Sequence, residues 1–203
     1  MQRLQKAAMF GLDARIALAI FASLSVITGV ALYSAIQNAR ATAVLVKMQE
    51  IGKAWESYLI DTGVNPPRHN TVDSASEAFY RLELKYLKTS PSLLGWKGPY
   101  LNYEISDYYF LHPKYGPIML DILSDENTWG GDDAWQNGMC TTGKTCYLWV
   151  VFGSSPDESL IKILDERIDS GDGSHEGTIK WWNTASSTYR YYLRYSRIKN
   201  PND

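Results

Sequence analysis

The sequence is poor in cysteine, has no surplus of either charge, and carries no charged side chain anywhere in residues 16–36. Each shortage excludes something. Its 20 basic residues against 22 acidic ones give a formal net charge of -2, with no long basic stripe, which argues against nucleic acid as the main partner. The only cysteines, Cys140 and Cys146, enclose five residues. That spacing is neither a CxxC redox pair nor half of a four-ligand zinc site. It predicts a disulfide if the domain lies in an oxidising compartment, the alternative being two reduced core residues. His69, His112 and His175 are far apart, and no Ser-His-Asp order, HExxH pair, P-loop or GxGxxG fingerprint accompanies them. No motif therefore supplies nucleophilic, zinc or nucleotide chemistry, and the expectation is a protein that is not an enzyme.

What is present begins with the uncharged run itself, IALAIFASLSVITGVALYSAI. Twenty-one helical residues at about 1.5 Å each cover roughly 30 Å, the thickness of a bilayer's hydrocarbon core. A cleaved secretory signal has a shorter apolar core, about 7–15 residues, and then a structural break. Here the helical pattern continues. Val44, Met48, Ile51, Trp55 and Tyr58 are spaced four, three, four and three residues apart, the stripe of an amphipathic helix. Lys47, Glu50, Lys53 and Glu56 fall off that stripe, and no proline occurs before Pro66. The pattern predicts one helix over residues 12–62, about 75 Å long by the same rise.

A basic opening that ends in glycine, MQRLQKAAMFG, followed by this long helix, resembles the type IV pilin and type II secretion pseudopilin superfamily. The resemblance implies a leader over residues 1–11, cut between Gly11 and Leu12 by a prepilin peptidase, with Arg3 and Lys6 on the cytoplasmic side. It also implies a single-pass subunit of the cytoplasmic membrane, spanning at about residues 16–36, with its C-terminal domain extracytoplasmic. The implied function is that of a structural subunit of a type IV pilus or secretion pseudopilus filament. Its partners would be other pilin-like subunits, the inner-membrane assembly platform and membrane lipid. The chain departs from the family at Ile16, the fifth mature position, where most members carry Glu; Asp13 is the only acid nearby. The alternative is a monomeric, signal-anchored extracytoplasmic ligand-binding domain.

Residues 63–203 read as a globular domain with an antiparallel sheet, on which the long N-terminal helix packs its apolar stripe, an α+β fold that the family resemblance makes pilin-like. GVNPPRHNTVDSAS is the loop that leaves the long helix, and residues 74–91 predict a short helix. Gly95, Trp96, Gly98, Pro99, Tyr100 and Leu101 resemble the G-W-x-G-P-Y-L segment that precedes the sheet in many pseudopilin-like domains. Strands are predicted at residues 101–112, 116–123, 146–153, 178–182 and 189–198, all rich in β-branched and aromatic side chains. In the last, Tyr189, Tyr191, Leu193 and Tyr195 alternate with Arg190, Tyr192, Arg194 and Ser196, one face packed and the other in solvent. A late helix is predicted with Ser155 as N-cap, Pro156 at the first position and Glu158 closing a capping box. Leu160, Leu164 and Ile168 mark its buried side, and Gly171 its C-terminal cap.

Two acidic loops complete the candidates. Asp165, Asp169, Asp172 and Glu176 surround glycine-containing turns and offer the hard oxygens that suit Ca²⁺, although their spacing is not that of an EF-hand. The competing reading is a solvated helix end followed by a Gly-Asp-Gly turn. Asp125, Glu126, Asp132 and Asp133 form the second loop, equally readable as a plain exposed loop beside the cysteines.

Overall fold

The computed structural model describes residues 2–155, 157–184 and 188–203, with side chains from residue 11 onward. Its first element, α1, is a 61-residue helix over Gln2–Thr62. It begins ten residues before the expected start and carries helix across the Gly11–Leu12 boundary. MQRLQKAAMF contains no proline and several strong helix formers, so nothing locally halts it. At the other end the expectation holds: Gly63 adopts φ +74° and its N–H returns to the Leu59 carbonyl at 2.8 Å.

The chain divides into two compact units, residues 1–40 and 41–203. In the first, every residue from 11 to 36 is exposed. The second takes the end of α1 into its own core: Ala41, Val44, Met48, Ile51, Trp55 and Tyr58 are all buried. The four-three spacing places these side chains on one helix face, as the sequence predicts. Gly52 lies on the same side, and the Tyr195 ring sits 2.2 Å from where its Cβ would be. Glycine here lets helix and sheet approach more closely than any side chain would.

The sheet is antiparallel and seven-stranded, built from β1 (Arg81–Leu82), β2 (Glu104–Ser106), β3 (Tyr109–His112), β4 (Gly116–Ser124), β5 (Cys146–Ser155), β6 (Ile179–Thr184) and β7 (Thr188–Ile198). Their order is β2-β3-β4-β5-β7-β6, with β1 paired to β4. A second helix, α2 (Glu158–Asp169), joins β5 to β6. This is an α+β architecture.

Three local expectations are corrected. The helix predicted at residues 74–91 is two 3₁₀ turns, Glu77–Tyr80 and Leu84–Leu87, interrupted by β1. Pairing of Arg81 with Asp121 and of Leu82 with Leu120 draws this backbone into the sheet. The strand predicted at residues 101–112 is the β2–β3 hairpin, turned at Asp107 with φ +58°. The N-cap of α2 is Asp157, whose Oδ1 accepts the Leu160 N–H at 3.3 Å. Ser155 is the last residue of β5, and its hydroxyl accepts from the Tyr191 hydroxyl at 2.8 Å and from the Asp157 N–H at 3.4 Å rather than from a helix N–H; Pro156 lies outside the described residues. At the other end of α2, Gly171 has φ +76° and its N–H returns to the Asp165 carbonyl at 3.3 Å, as expected of a C-terminal cap, and Ser170 before it is also left-handed, with φ +61°.

The largest correction concerns the sheet's second face. One face behaves as expected: Ile118, Leu120, Ile122, Leu148, Val150, Phe152, Tyr191 and Leu193 form a core with the α1 stripe and with Leu160, Ile161 and Leu164 of α2. The other meets solvent only in part, Arg190, Arg194 and Ser196 staying partly exposed. Met119, Leu123, Trp149, Val151 and Tyr192 are buried there beneath Trp129 and Trp135 of the loop between β4 and β5. Cations on this face lie over aromatic rings: Lys180 is 4.7 Å from the Trp129 centroid, Arg81 4.9 Å from Trp135 and Arg190 5.1 Å from Trp182. Two of these cations are also held by specific oxygens. Arg81 Nε donates to Asp121 Oδ1 at 3.2 Å, and Lys180 Nζ to the carbonyls of Asp125 and Glu126 at 3.2 and 2.9 Å. Burial lowers the Lys180 ammonium to about 8.

Candidate functional site

Among the described residues, most of the exposed large hydrophobic side chains lie in the early part of α1. Leu18, Phe21, Val26, Ile27, Val30, Leu32 and Tyr33 are each at least 63% exposed, and α1 is long and apolar enough to cross a membrane. Its hydroxyls are turned inward along the helix: Ser23 Oγ donates to the Ala19 carbonyl at 2.8 Å and Thr28 Oγ1 to Leu24 at 2.9 Å. That arrangement satisfies polar groups within the helix and leaves its outside apolar, as hydrocarbon or a neighbouring helix requires. Gly11 and Leu12 lie within α1, before this uncharged run, and a Cβ on Gly11 would touch nothing within 4 Å.

The segment after the helix is tied to its end. Gly95, with φ +90°, passes so close to the Asp61 carbonyl that a Cβ would lie 2.2 Å from it. Tyr100 donates to Asp61 Oδ2 at 2.9 Å, and Lys97 reaches Oδ1 at 2.9 Å. The Trp96 indole donates to the Tyr86 carbonyl at 2.9 Å. The short motif thus acts as a clasp between the end of α1 and the 3₁₀ turn Leu84–Leu87.

Cys140 and Cys146 form a disulfide, with both residues buried and their Cα atoms 5.9 Å apart. The chain's last residues hold the enclosed loop. Asn200 Nδ2 donates to the carbonyls of Thr141 and Lys144 at 2.9 and 3.1 Å, and Asn202 Nδ2 to that of Cys140 at 2.7 Å.

Of the four calcium candidates, the structure brings together three. Carboxylate oxygens of Asp165, Asp169 and Asp172 lie within 4.8 Å of one another. Glu176 is not among them; its Oε1 accepts from the Asn127 amide at 3.0 Å, which points it toward another loop. Asp169 Oδ2 accepts the N–H groups of Thr178 and Ile179 at 2.7 and 2.6 Å, fixing the start of β6, and Asp165 Oδ2 accepts that of Gly173 at 3.2 Å. Burial, reinforced by Asp172 and Asp169 and opposed by the Gly173 N–H, pushes the Asp165 carboxyl up to about 6. The second acidic loop is partnered throughout: Asp125 with Arg194 at 3.0 Å, Glu126 with Lys144 at 2.7 Å, Asp132 with Asn183 at 3.0 Å and Asp133 with His175 at 3.1 Å. Its acids fasten the loop over the sheet's second face.

One arrangement escaped the sequence altogether. Ser174 Oγ lies 2.9 Å from His175 Nδ1, whose Nε2 is 3.1 Å from Asp133 Oδ2. A nucleophilic serine also needs donors for the developing oxyanion. The two glycine N–H groups beside it are committed elsewhere, Gly130 to the Asp133 carbonyl and Gly131 to that of Trp181. What the chain of bonds does is link the loop after α2 to the loop after β4. His69 pairs with Glu83 at 3.3 Å, and His112 Nδ1 accepts the N–H groups of Lys114 and Tyr115 at 3.1 and 3.3 Å, so neither joins it.

No family model matches this chain, and no curated protein or solved structure is similar to it.

Proposed function

We propose that this chain is a membrane-stored structural subunit of a type IV pilus or type II secretion-like filament. The observation that carries the reading is the division of α1: an exposed, uncharged length over residues 16–36, then a stripe that is core of the chain's own domain. Lipid tails and neighbouring apolar helices solvate the first length about equally well. A subunit can therefore exchange one for the other with little net hydrophobic cost, close packing deciding between them.

In this reading the leader ends at Gly11 and the mature chain starts at Leu12. A glycine within helix lowers local stability by about 1 kcal/mol relative to alanine, which eases the unwinding that a peptidase needs. Prepilin peptidase and an inner-membrane assembly platform would be the partners, and the domain would be extracytoplasmic. Because Ile16 replaces the usual acid, subunit register would rest on helix packing and on Asp13 near the new amine.

The deciding measurement is the N-terminal mass of the chain extracted from its native membrane, together with that of Gly11→Val. A chain beginning at Leu12, and a Gly11→Val protein retained as full-length precursor, are expected. An intact leader in the wild type would overturn the proposal in favour of a monomeric, signal-anchored binding domain.

A further inference from the structure

We propose that two adjoining clefts beside residues 198–203 form one binding surface for a multiply charged oxyanion of the condensed-phosphate class, with Arg68, Arg197 and Lys199 as its cationic contacts. The first cleft, about 530 Å³, opens between the disulfide loop and the end of β7, and Lys144, Arg197, Lys199 and Asp203 line it. The second, about 570 Å³, lies between the loop that leaves α1 and the same stretch of chain, with Arg68, Lys199 and Asp203 in its wall. Each has the size of a small-molecule site. Ile198, Lys199, Asn200 and Asp203 belong to both, so the clefts adjoin.

Charge decides what they fit. Together the walls hold four basic side chains, Arg68, Lys144, Arg197 and Lys199, and one acid, Asp203, in a chain whose formal net charge is -2. Lys144 is held by Glu126 at 2.7 Å. Arg68, Arg197 and Lys199 take part in no ion pair among the described residues. Arg197 and Lys199 are exposed, so an ion arriving from solvent reaches them directly. Arg68 is fixed by the Phe79 ring, whose centroid is 4.0 Å from the guanidinium carbon, and its Nη1 is buried without a hydrogen-bond partner. A buried donor without an acceptor is costly, and a charged oxygen is the acceptor that a guanidinium binds most strongly.

The chain's own carboxylate shows how an anionic oxygen is held here. Asp203 Oδ1 accepts the Gly143 N–H at 3.0 Å, at the turn of the disulfide loop where Gly143 has φ +81°. Backbone N–H groups in such turns cradle anions. The carbonyls of Thr141 and Lys144, which would repel an anion, are taken by the Asn200 amide. One carboxylate against three unpaired cations leaves a surplus of two positive charges, more than a lone carboxylate or chloride neutralises. Arg68 and Arg197 present planar forks that match phosphate oxygens, and cations set in separate clefts favour a chain of phosphates over a single one.

The inference stands apart from the filament proposal, since it concerns binding by the folded domain and needs neither processing nor assembly. Full-length protein in a nonionic detergent would be titrated by calorimetry with orthophosphate and with tripolyphosphate at constant ionic strength. Expected are one saturable site for tripolyphosphate, about tenfold tighter than for orthophosphate, and affinity that falls as salt is raised. Lys199→Gln and Arg197→Gln, both at exposed positions, should each weaken tripolyphosphate binding about fivefold, and Arg68→Gln should narrow the preference for tripolyphosphate over orthophosphate. Asp203→Asn keeps an acceptor for the Gly143 N–H and should tighten binding about twofold. Lys114→Gln, which removes an exposed cation from the turn between β3 and β4, should change nothing. Phosphatidylglycerol doped into the micelle offers phosphate oxygens from a lipid, and should not displace tripolyphosphate, because each headgroup carries a single charge. The proposal is overturned by the absence of saturable heat at millimolar tripolyphosphate, by undiminished affinity in Lys199→Gln, or by an equal loss in Lys114→Gln. Orthophosphate binding as tightly as tripolyphosphate would remove the joint surface, and displacement by the lipid would remove the soluble anion.

Discussion

Residues 16–36 and residues 41–62 share one helix and differ in where their solvent comes from. In the first, Leu24 is 56% exposed and Val26 67%; in the second, Val44 and Met48 are completely buried against the sheet. The backbone hydrogen bonds are alike, so helix propensity does not separate them. What separates them is charge: Lys47, Glu50, Lys53 and Glu56 give the later segment a water-facing side, while the earlier one has none. A helix apolar all round needs an apolar environment from outside its chain, and a striped one can find it within.

The greatest contrast is expected from truncating a large side chain in each segment. Trp55 is 3% exposed, packs edge-on against Tyr195 at 6.1 Å and donates its indole N–H to Asn65 at 3.0 Å. Trp55→Ala should cost about 3–5 kcal/mol in denaturant unfolding of the detergent-solubilised protein. Leu24→Ala should change it by less than about 0.5 kcal/mol. Comparable losses at both positions would mean that the early segment also packs within its own chain.

Introducing charge reverses the contrast. Val26→Lys should weaken membrane retention by about 2.5–3.5 kcal/mol, the insertion cost of lysine at a helix centre. The unfolding midpoint of the domain should stay where it is. Carbonate-extracted membranes provide the measurement, and undiminished retention would argue that residues 16–36 do not sit in lipid.

The same difference explains what could be read from sequence. The α1 stripe was legible because a helix repeats every 3.6 residues and Val44 to Tyr58 obey that period. Strands β4, β5 and β7 were legible from their β-branched and aromatic runs. Features set by distant partners were not: β1 exists because Arg81 and Leu82 pair with Asp121 and Leu120, about forty positions away. The burial of Tyr192 depends on Trp129 and Trp135 closing over the sheet, which alternation within β7 cannot encode. At the acidic turn, composition picked out Asp165, Asp169 and Asp172, but Glu176 carries the same chemistry and points to Asn127. The Ser174–His175–Asp133 link had no sequence signal, since His175 and Asp133 meet only after two loops are placed.

Glycine gives a finer test of the two segments. Gly29→Ala places a methyl where nothing lies within 4 Å and should stabilise the isolated helix by up to about 1 kcal/mol. Gly52→Ala has the same propensity advantage but drives its methyl into the Tyr195 ring, for a net cost of about 1–3 kcal/mol. Thermal melts of the two variants should therefore move in opposite directions, or the Gly29 melt should not move at all. A Gly52→Ala protein at least as stable as wild type would show that the helix–sheet contact is looser than the structure has it.

The smallest expected effect is confined to the domain, because residues 16–36 contain no histidine or carboxylate. His112 stacks on Tyr115 and Phe152 with centroids 4.7 and 6.0 Å away, lies 6.1 Å from Tyr103, and uses Nδ1 to accept two backbone N–H groups. Burial first, then the charges of Lys47 and Lys114, hold its pKa below the usual value. A proton on Nδ1 would destroy both accepted bonds, so the folded state prefers the neutral ring. The unfolded chain takes up that proton near pH 6.5, and stability must fall as pH drops through this value toward the lower folded pKa. One such group contributes a slope of at most about 1.4 kcal/mol per pH unit. Asn at this position keeps an acceptor but cannot charge. Between pH 7 and pH 5, wild type should lose more unfolding free energy than His112→Asn, and equal losses in the two proteins would remove the histidine from the account.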